Sequence, residues 1–223
     1  IYGCTDSYAL NYDLEANIDD GSCDYNWVTG TIYDARDGQE YSTITIGNQE
    51  WMSENLNINQ NRYCYDEETE NCDIYGGLYQ YNDMIDGNID QGNCPEGWFL
   101  PTEQDYLALA AYVEFDSNRL KDFGQGISDG IGTNSSGFSA LLGGLRASDV
   151  GDDIPHYIEI GEQATFATSD LSGALNTTMH LHSADSIFGF DHSFHISNGA
   201  AASVRCLRNL GCTDTSALNY EIE

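Results

Sequence analysis

The sequence predicts an α+β fold with a small cysteine-stapled appendage, and three observations carry that expectation. Residues 27–46 alternate in the manner of strands, and one well-capped helix start stands at Thr102. The stretch from Ala164 to Leu207 breaks into short strand-like pieces separated by Ser, Asp and Gly. The appendage is residues 1–25, an acidic segment too short to build a core.

Within it, Gly3-Cys4-Thr5-Asp6-Ser7-Tyr8-Ala9-Leu10-Asn11-Tyr12 returns near the other end as Gly211-Cys212-Thr213-Asp214-Thr215-Ser216-Ala217-Leu218-Asn219-Tyr220, matching at eight of ten positions. Such internal similarity marks a modular array. The first copy runs on to Cys23, so Cys4 and Cys23 form the natural pair, a staple worth about 3 kcal/mol for a loop of this size. The second copy, within 211–223, stops before its second cysteine, and a longer modular chain is expected beyond Glu223.

The main unit spans 26–210. Trp27–Tyr33 and Tyr41–Ile46 are strands, with Asp37-Gly38 as the hairpin turn between them and Gly47-Asn48 as the next turn. Thr102 is the N-cap of a helix through Val113, with Asp105 completing a capping box. A shorter helix is expected over 117–123, ending at Gly124, and 124–137 reads as a long surface loop.

Charge narrows the function. Seven Lys and Arg face 37 Asp and Glu, a formal net charge of −30. A nucleic-acid partner needs a basic footprint, and an anionic membrane surface repels such a chain. No apolar run is long enough for membrane insertion. Two readings of the acidity stand side by side: calcium held by clustered oxygens, or plain solubility. In the first repeat Asp6, Asn11, Asp13, Asn17, Asp19 and Asp20 put many oxygens into one loop. They are the candidate calcium ligands, and the alternative is a linker of Asx turns. The spacing is not that of an EF-hand.

Residues 3–23 resemble the repeats of secreted proteins in Bacteroidetes-type bacteria. Five ordered blocks in the main unit carry a second resemblance. They are Ile44–Leu56, Gly77–Asn82, Cys94–Thr102, Gly137–Arg146 and Ser203–Arg208. In this order they resemble the Fibrobacter succinogenes major paralogous domain, a family similar to C-type lectin-like folds. The resemblance implies a secreted domain on a bacterial surface protein. It implies that Cys94 and Cys206 bridge to close the domain, leaving Cys64 and Cys72 to staple the acidic loop between them. Trp98, Phe99, Leu100, Phe138, Leu141 and Val204 are the expected core, and Gly76-Gly77 and Gly143-Gly144 the expected sites of close backbone approach.

The chain departs from the family pattern at Thr165–Asp170, and from there to Asn198 the resemblance is loose. In C-type lectin-like folds this region forms much of the ligand face, so Phe166, Thr168, Asp170, His180, His182, His192 and His195 are the candidate ligand-contacting residues. His180 and His182 share a strand face and, with a third histidine, would suit a transition metal; ordinary hydrogen-bonded histidines are the competing reading. The Glu-Pro-Asn and Gln-Pro-Asp triplets of calcium-dependent lectins do not occur, nor does a Gly-x-Ser-x-Gly elbow. The 15 tyrosines and 3 tryptophans offer stacking faces or core. Asn134-Ser135-Ser136 and Asn176-Thr177-Thr178 are formal glycosylation sequons.

The expectation is a non-enzymatic extracellular or cell-surface module for adhesion, binding a glycan or protein. The alternative is a structural repeat of a fibre or stalk that contacts neighbouring copies of itself.

Overall fold

The structure, a computed structural model, describes residues 1–85, 91–147, 156–172, 175–195 and 199–211. The second repeat copy from Cys212 onward lies outside the described residues. Strands β1 (Tyr2–Gly3) and β2 (Ile18–Asp19) form a two-stranded parallel pair in the appendage. Then come β3 (Val28–Asp34), β4 (Gln39–Ile46), β5 (Gln49–Met52) and β6 (Arg62–Tyr63), helix α1 (Thr69–Tyr75), β7 (Leu78–Gln80), and helices α2 (Tyr81–Ile85) and α3 (Glu103–Tyr112). After α3 come two single 3-10 turns and then, among the described residues, the strands β8 (Gly143–Ala147), β9 (His156–Ile160), β10 (Gln163–Ser172), β11 (Leu175–His182), β12 (Phe188–His195), β13 (Ala201–Ser203) and β14 (Leu207–Asn209). The described chain is thus mostly β-sheet with a few short helices.

Two sheets carry the main unit. One has the order β14-β5-β4-β3, all antiparallel. Its register places Val28 beside Thr45, Thr45 beside Glu50, and Glu50 beside Arg208, one row across all four strands. The chain therefore enters and leaves the unit at the same end of this sheet. The other sheet runs β12-β11-β10-β8-β13-β7-β6, with β9 folded onto β8. The expected Asp37-Gly38 hairpin turn joins β3 to β4, Gly38 taking φ +81°. Thr102 caps α3 as expected: its hydroxyl accepts from the Asp105 N–H while the Asp105 carboxylate accepts from the Thr102 N–H.

The core divides into two apolar clusters. One gathers Met52, Leu56, Tyr79, Trp98, Leu100 and Val204; the other gathers Trp51, Tyr106, Phe138, Phe166 and Met179. Arg205 is 1% exposed and stacks on the second, its guanidinium 4.4 Å from the Phe138 ring and 5.3 Å from Phe166. Nε and Nη2 donate to Asn55 Oδ1, at 3.0 and 2.7 Å, Nη2 also reaches the Ser139 carbonyl, and Nη1 donates to that of Phe138. Burial pulls its pKa down to about 10, so it remains charged at neutral pH. All three expected disulfides are formed: Cys4–Cys23, Cys64–Cys72 and Cys94–Cys206.

Glycine matters most at two places. Gly144 takes φ +66°, and a Cβ there would stand 2.3 Å from the Ile158 carbonyl on β9. Gly76, at φ +77°, leaves a Cβ only 2.6 Å from that of Asn55.

Four expectations need correction. Phe99 is 44% exposed rather than core, because an extended chain sends Trp98 and Leu100 inward and the residue between them outward. Leu141, likewise expected in the core, is half-buried. The helix over 117–123 is a single 3-10 turn, Ser117–Arg119, because Lys121 instead bridges to Ala140 and its Nζ donates to the His182 and Asp185 carbonyls. The loop 124–137 is also no surface loop at its far end: Asn134, Ser135 and Ser136 are buried and hydrogen-bonded to Asp122, Arg119 and Ser139. Polar residues there satisfy buried backbone, a role that composition does not reveal.

Asn55→Ala is expected to lower unfolding free energy by about 3 kcal/mol, since it strips a buried guanidinium of its side-chain acceptor. Urea unfolding of the oxidised protein measures this.

Candidate functional site

In the appendage the candidate calcium ligands spend acceptors on turns. Asp6 Oδ1 accepts from the Tyr8 N–H, Asp13 Oδ1 from Glu15, and Asp19 Oδ1 from Gly21, each at 2.9 Å. Asp20 Oδ1 accepts from the Ser22 N–H, and the Ser22 hydroxyl and N–H hold this carboxyl below its ordinary range. Asn17 Oδ1 accepts from the Ile1 nitrogen, and Asn11 Oδ1 takes the Asp24 N–H. These are Asx turns and loop-closing bonds. Among the described residues no group of three or more His, Cys, Asp or Glu side chains converges in a way that would hold a metal ion.

The seven candidate ligand-face residues separate. Phe166 is fully buried, edge-on to Phe138 at 5.8 Å. Thr168 is also fully buried, its hydroxyl donating to the Thr177 carbonyl. Asp170 reaches across to α3, where its carboxylate accepts from the Glu103 N–H at the helix start. His192 is exposed beside Thr177 and Glu103, its Nδ1 at 3.1 and 3.6 Å from their side chains. His195 pairs with Leu175 through the β11–β12 register. His180 and His182 line a concavity, with their rings 6.4 Å apart and nearly parallel.

That hollow, about 410 Å³, sits over β8 to β12. Leu145, Ile158 and Phe190 form its apolar wall; Glu159, Gln163 and Asp191 supply the polar side. The His180 ring is locked by its neighbours. Its Nδ1 stands 2.6 Å from Gln163 Nε2 and 3.3 Å from Thr165 Oγ1, and its Nε2 2.7 Å from Thr178 Oγ1. Since the Gln163 amide can only donate, Nδ1 accepts and Nε2 carries the proton. Burial pushes the pKa down to about 4, so the ring is neutral at physiological pH. Both nitrogens are committed, and neither offers a lone pair to a metal or to a reacting proton.

Glu159 holds φ +68°, unusual for a side chain in a strand, and its Oε2 is buried without a hydrogen-bond partner. It stands opposite the sterically tight Gly144 in the antiparallel β8–β9 pair. Sequence reading missed Glu159, Gln163, Phe190 and Asp191. Position within the expected 165–198 face would have found the last two; the others are brought in by the β8–β9 fold-back.

A deeper concavity of about 260 Å³ reaches Arg205 between Glu54, Asp73 and Asp122. Glu54 there accepts from the Ser42 N–H and Asp122 from Asn134, so these groups serve the frame. Of the two sequons, Asn134 is 9% exposed and hydrogen-bonded, and Asn176 is fully buried, so neither presents its amide.

A family model described as the Fibrobacter succinogenes major domain matches residues 44–208. No curated protein and no solved structure matches the chain.

Two measurements follow from this geometry. Calcium held by the 6–20 loop is expected to make Tm fall in excess chelator, a fall that Asp13→Asn with Asp20→Asn abolishes; an unchanged Tm leaves the loop to its Asx turns. His180 titrates lower folded than unfolded, so the unfolded chain takes up the proton first as pH falls. Its contribution is intact above about pH 6.5 and is lost towards pH 4, by about 3 kcal/mol. Subtracting the stability profile of His180→Gln from that of the parent protein isolates this slope.

Proposed function

The chain belongs to the Fibrobacter succinogenes major domain family, and on that premise we propose an extracellular, non-catalytic binding module seated on the β8–β12 hollow. The observation that carries the reading is the hollow itself: an apolar wall facing carboxylates and a neutral imidazole whose two nitrogens are already engaged. Ligand pockets combine such apolar walls with few fixed polar groups. Its chemistry suits a glycan or protein segment that presents hydrogen-bond donors, or a positive group, beside an apolar face. Three disulfides support an oxidising compartment. A C-type lectin-like reading of the architecture draws support from Cys94–Cys206 and from β14 returning to β5, which join the end of the main unit to its beginning.

His182→Ala removes an exposed side chain from the hollow and leaves intact the backbone carbonyl that Lys121 uses. On glycan and peptide arrays the parent protein is expected to bind, and His182→Ala to lose about ten-fold in affinity with Tm unchanged. Equal binding by both would move the seat elsewhere.

A further inference from the structure

A third concavity, of about 400 Å³, lies where the appendage meets the main unit. Its walls include four aromatic rings from three separate parts of the sequence. Tyr25 and Trp27 stack on each other, ring centres 5.2 Å apart and planes within 10°. Tyr8 stands on the appendage side, and Tyr112 at the end of α3 stands on the other. Trp27, Tyr8 and Tyr112 are 40%, 53% and 54% exposed. Isolated exposed aromatics are ordinary, but several converging on one concavity are not.

Three of these rings are held in place. The Trp27 indole N–H donates to the Ser135 carbonyl at 3.1 Å. The Tyr25 hydroxyl donates to Asp6, at 2.9 Å, and the Tyr8 hydroxyl to Glu114, at 3.0 Å. Beneath Tyr8 lies the buried Arg119, its guanidinium 3.9 Å from the ring centre and its Nε donating to the Ser135 hydroxyl. A platform fixed before binding loses little conformational entropy when a ligand arrives. The repeat supplies an internal comparison. Its two copies agree at eight of ten positions, yet where the first has Tyr8 the second has Ser216. The tyrosine is therefore not part of the sequence the two copies share.

We propose that this groove binds a neutral pyranose oligosaccharide, its rings lying flat on the Tyr25–Trp27 stack and Tyr112. Aromatic faces match the C–H faces of sugar rings, and tyrosine hydroxyls and Arg119 border them with polar groups. Charge sets the class. The Arg119 cation is taken up by the Tyr8 face, the carboxylates of Asp6 and Glu114 flank the groove, and the chain carries −30 overall. A polyuronate or sulfated glycan would be repelled. This site is separate from the β8–β12 hollow and stands or falls without it.

Trp51 and Trp98 are buried, at 0% and 4% exposed, so Trp27 is the one tryptophan whose emission a surface ligand can change. The test is a fluorescence titration of the oxidised 223-residue chain with cellohexaose, xylohexaose and mannohexaose, and with hexagalacturonate as the anionic comparator. At least one neutral hexasaccharide is expected to give a saturable shift, with hexagalacturonate about ten-fold weaker or worse. Tyr112→Ala and Tyr8→Ser are each expected to weaken binding about ten-fold with Tm little changed, while Ile187→Ala, an exposed residue outside both concavities, leaves it as it was. The absence of a saturable shift with all three neutral sugars would overturn the proposal. So would hexagalacturonate binding as tightly, or unchanged affinity in both tyrosine variants.

Discussion

One buried positive charge organises this molecule. Arg205 lies between the strands that close the main unit, held by Asn55, by two loop carbonyls and by the faces of Phe138 and Phe166. No carboxylate hydrogen-bonds to it among the described residues, so its desolvation is offset by many weaker partners at once. That requirement reaches outward. Asn55 can accept from Arg205 only because its own amide is fixed on the Tyr75 carbonyl at the end of α1. The loop 134–139 must bury its polar residues to bring its carbonyls to the guanidinium. Cys206 and Leu207, next along the chain, then fall into the disulfide and the β5 pairing.

Much of this frame was legible in the sequence because its causes are local. The alternation of Tyr41–Ile46, the Asp-Gly turn and the Thr102–Asp105 box each act over a few residues, and each stands where expected. Cys4–Cys23 followed from the repeat, and the other two bridges from the family resemblance. The failures arise where a distant partner decides. Nothing near Ser117 announces that Lys121 will be drawn to the His182 and Asp185 carbonyls, ending the helix after one turn. Polar runs such as Asn134–Ser136 look solvent-facing unless the backbone they satisfy is known.

The same division governs the candidate sites. Residues 165–198 were singled out as a ligand face, but strand parity and the neighbouring layers take Phe166 and Thr168 into the core. The hollow instead forms where β9 folds back on β8 beside the histidine pair. Its Glu159 combines a positive φ with a buried, unpartnered oxygen, a cost that no local preference explains. The aromatic groove was still less accessible to sequence reading, since Tyr8, Trp27, Tyr112 and Ser135 meet only after both the appendage and α3 have packed.

The row that sets Val28, Thr45, Glu50 and Arg208 side by side has a mechanical consequence. A chain that enters and leaves at one end of a sheet does not carry tension through its core. A pull on the flanking segments would peel β3 and β14 from opposite edges, breaking ladder hydrogen bonds singly instead of shearing them together. On the β14 side the unravelling stops at Cys206, whose covalent link to Cys94 lies just before the strand. Under flow or traction such a unit would yield a short length of slack, opening the aromatic groove that Trp27 and Val28 line while the β8–β12 hollow keeps its shape.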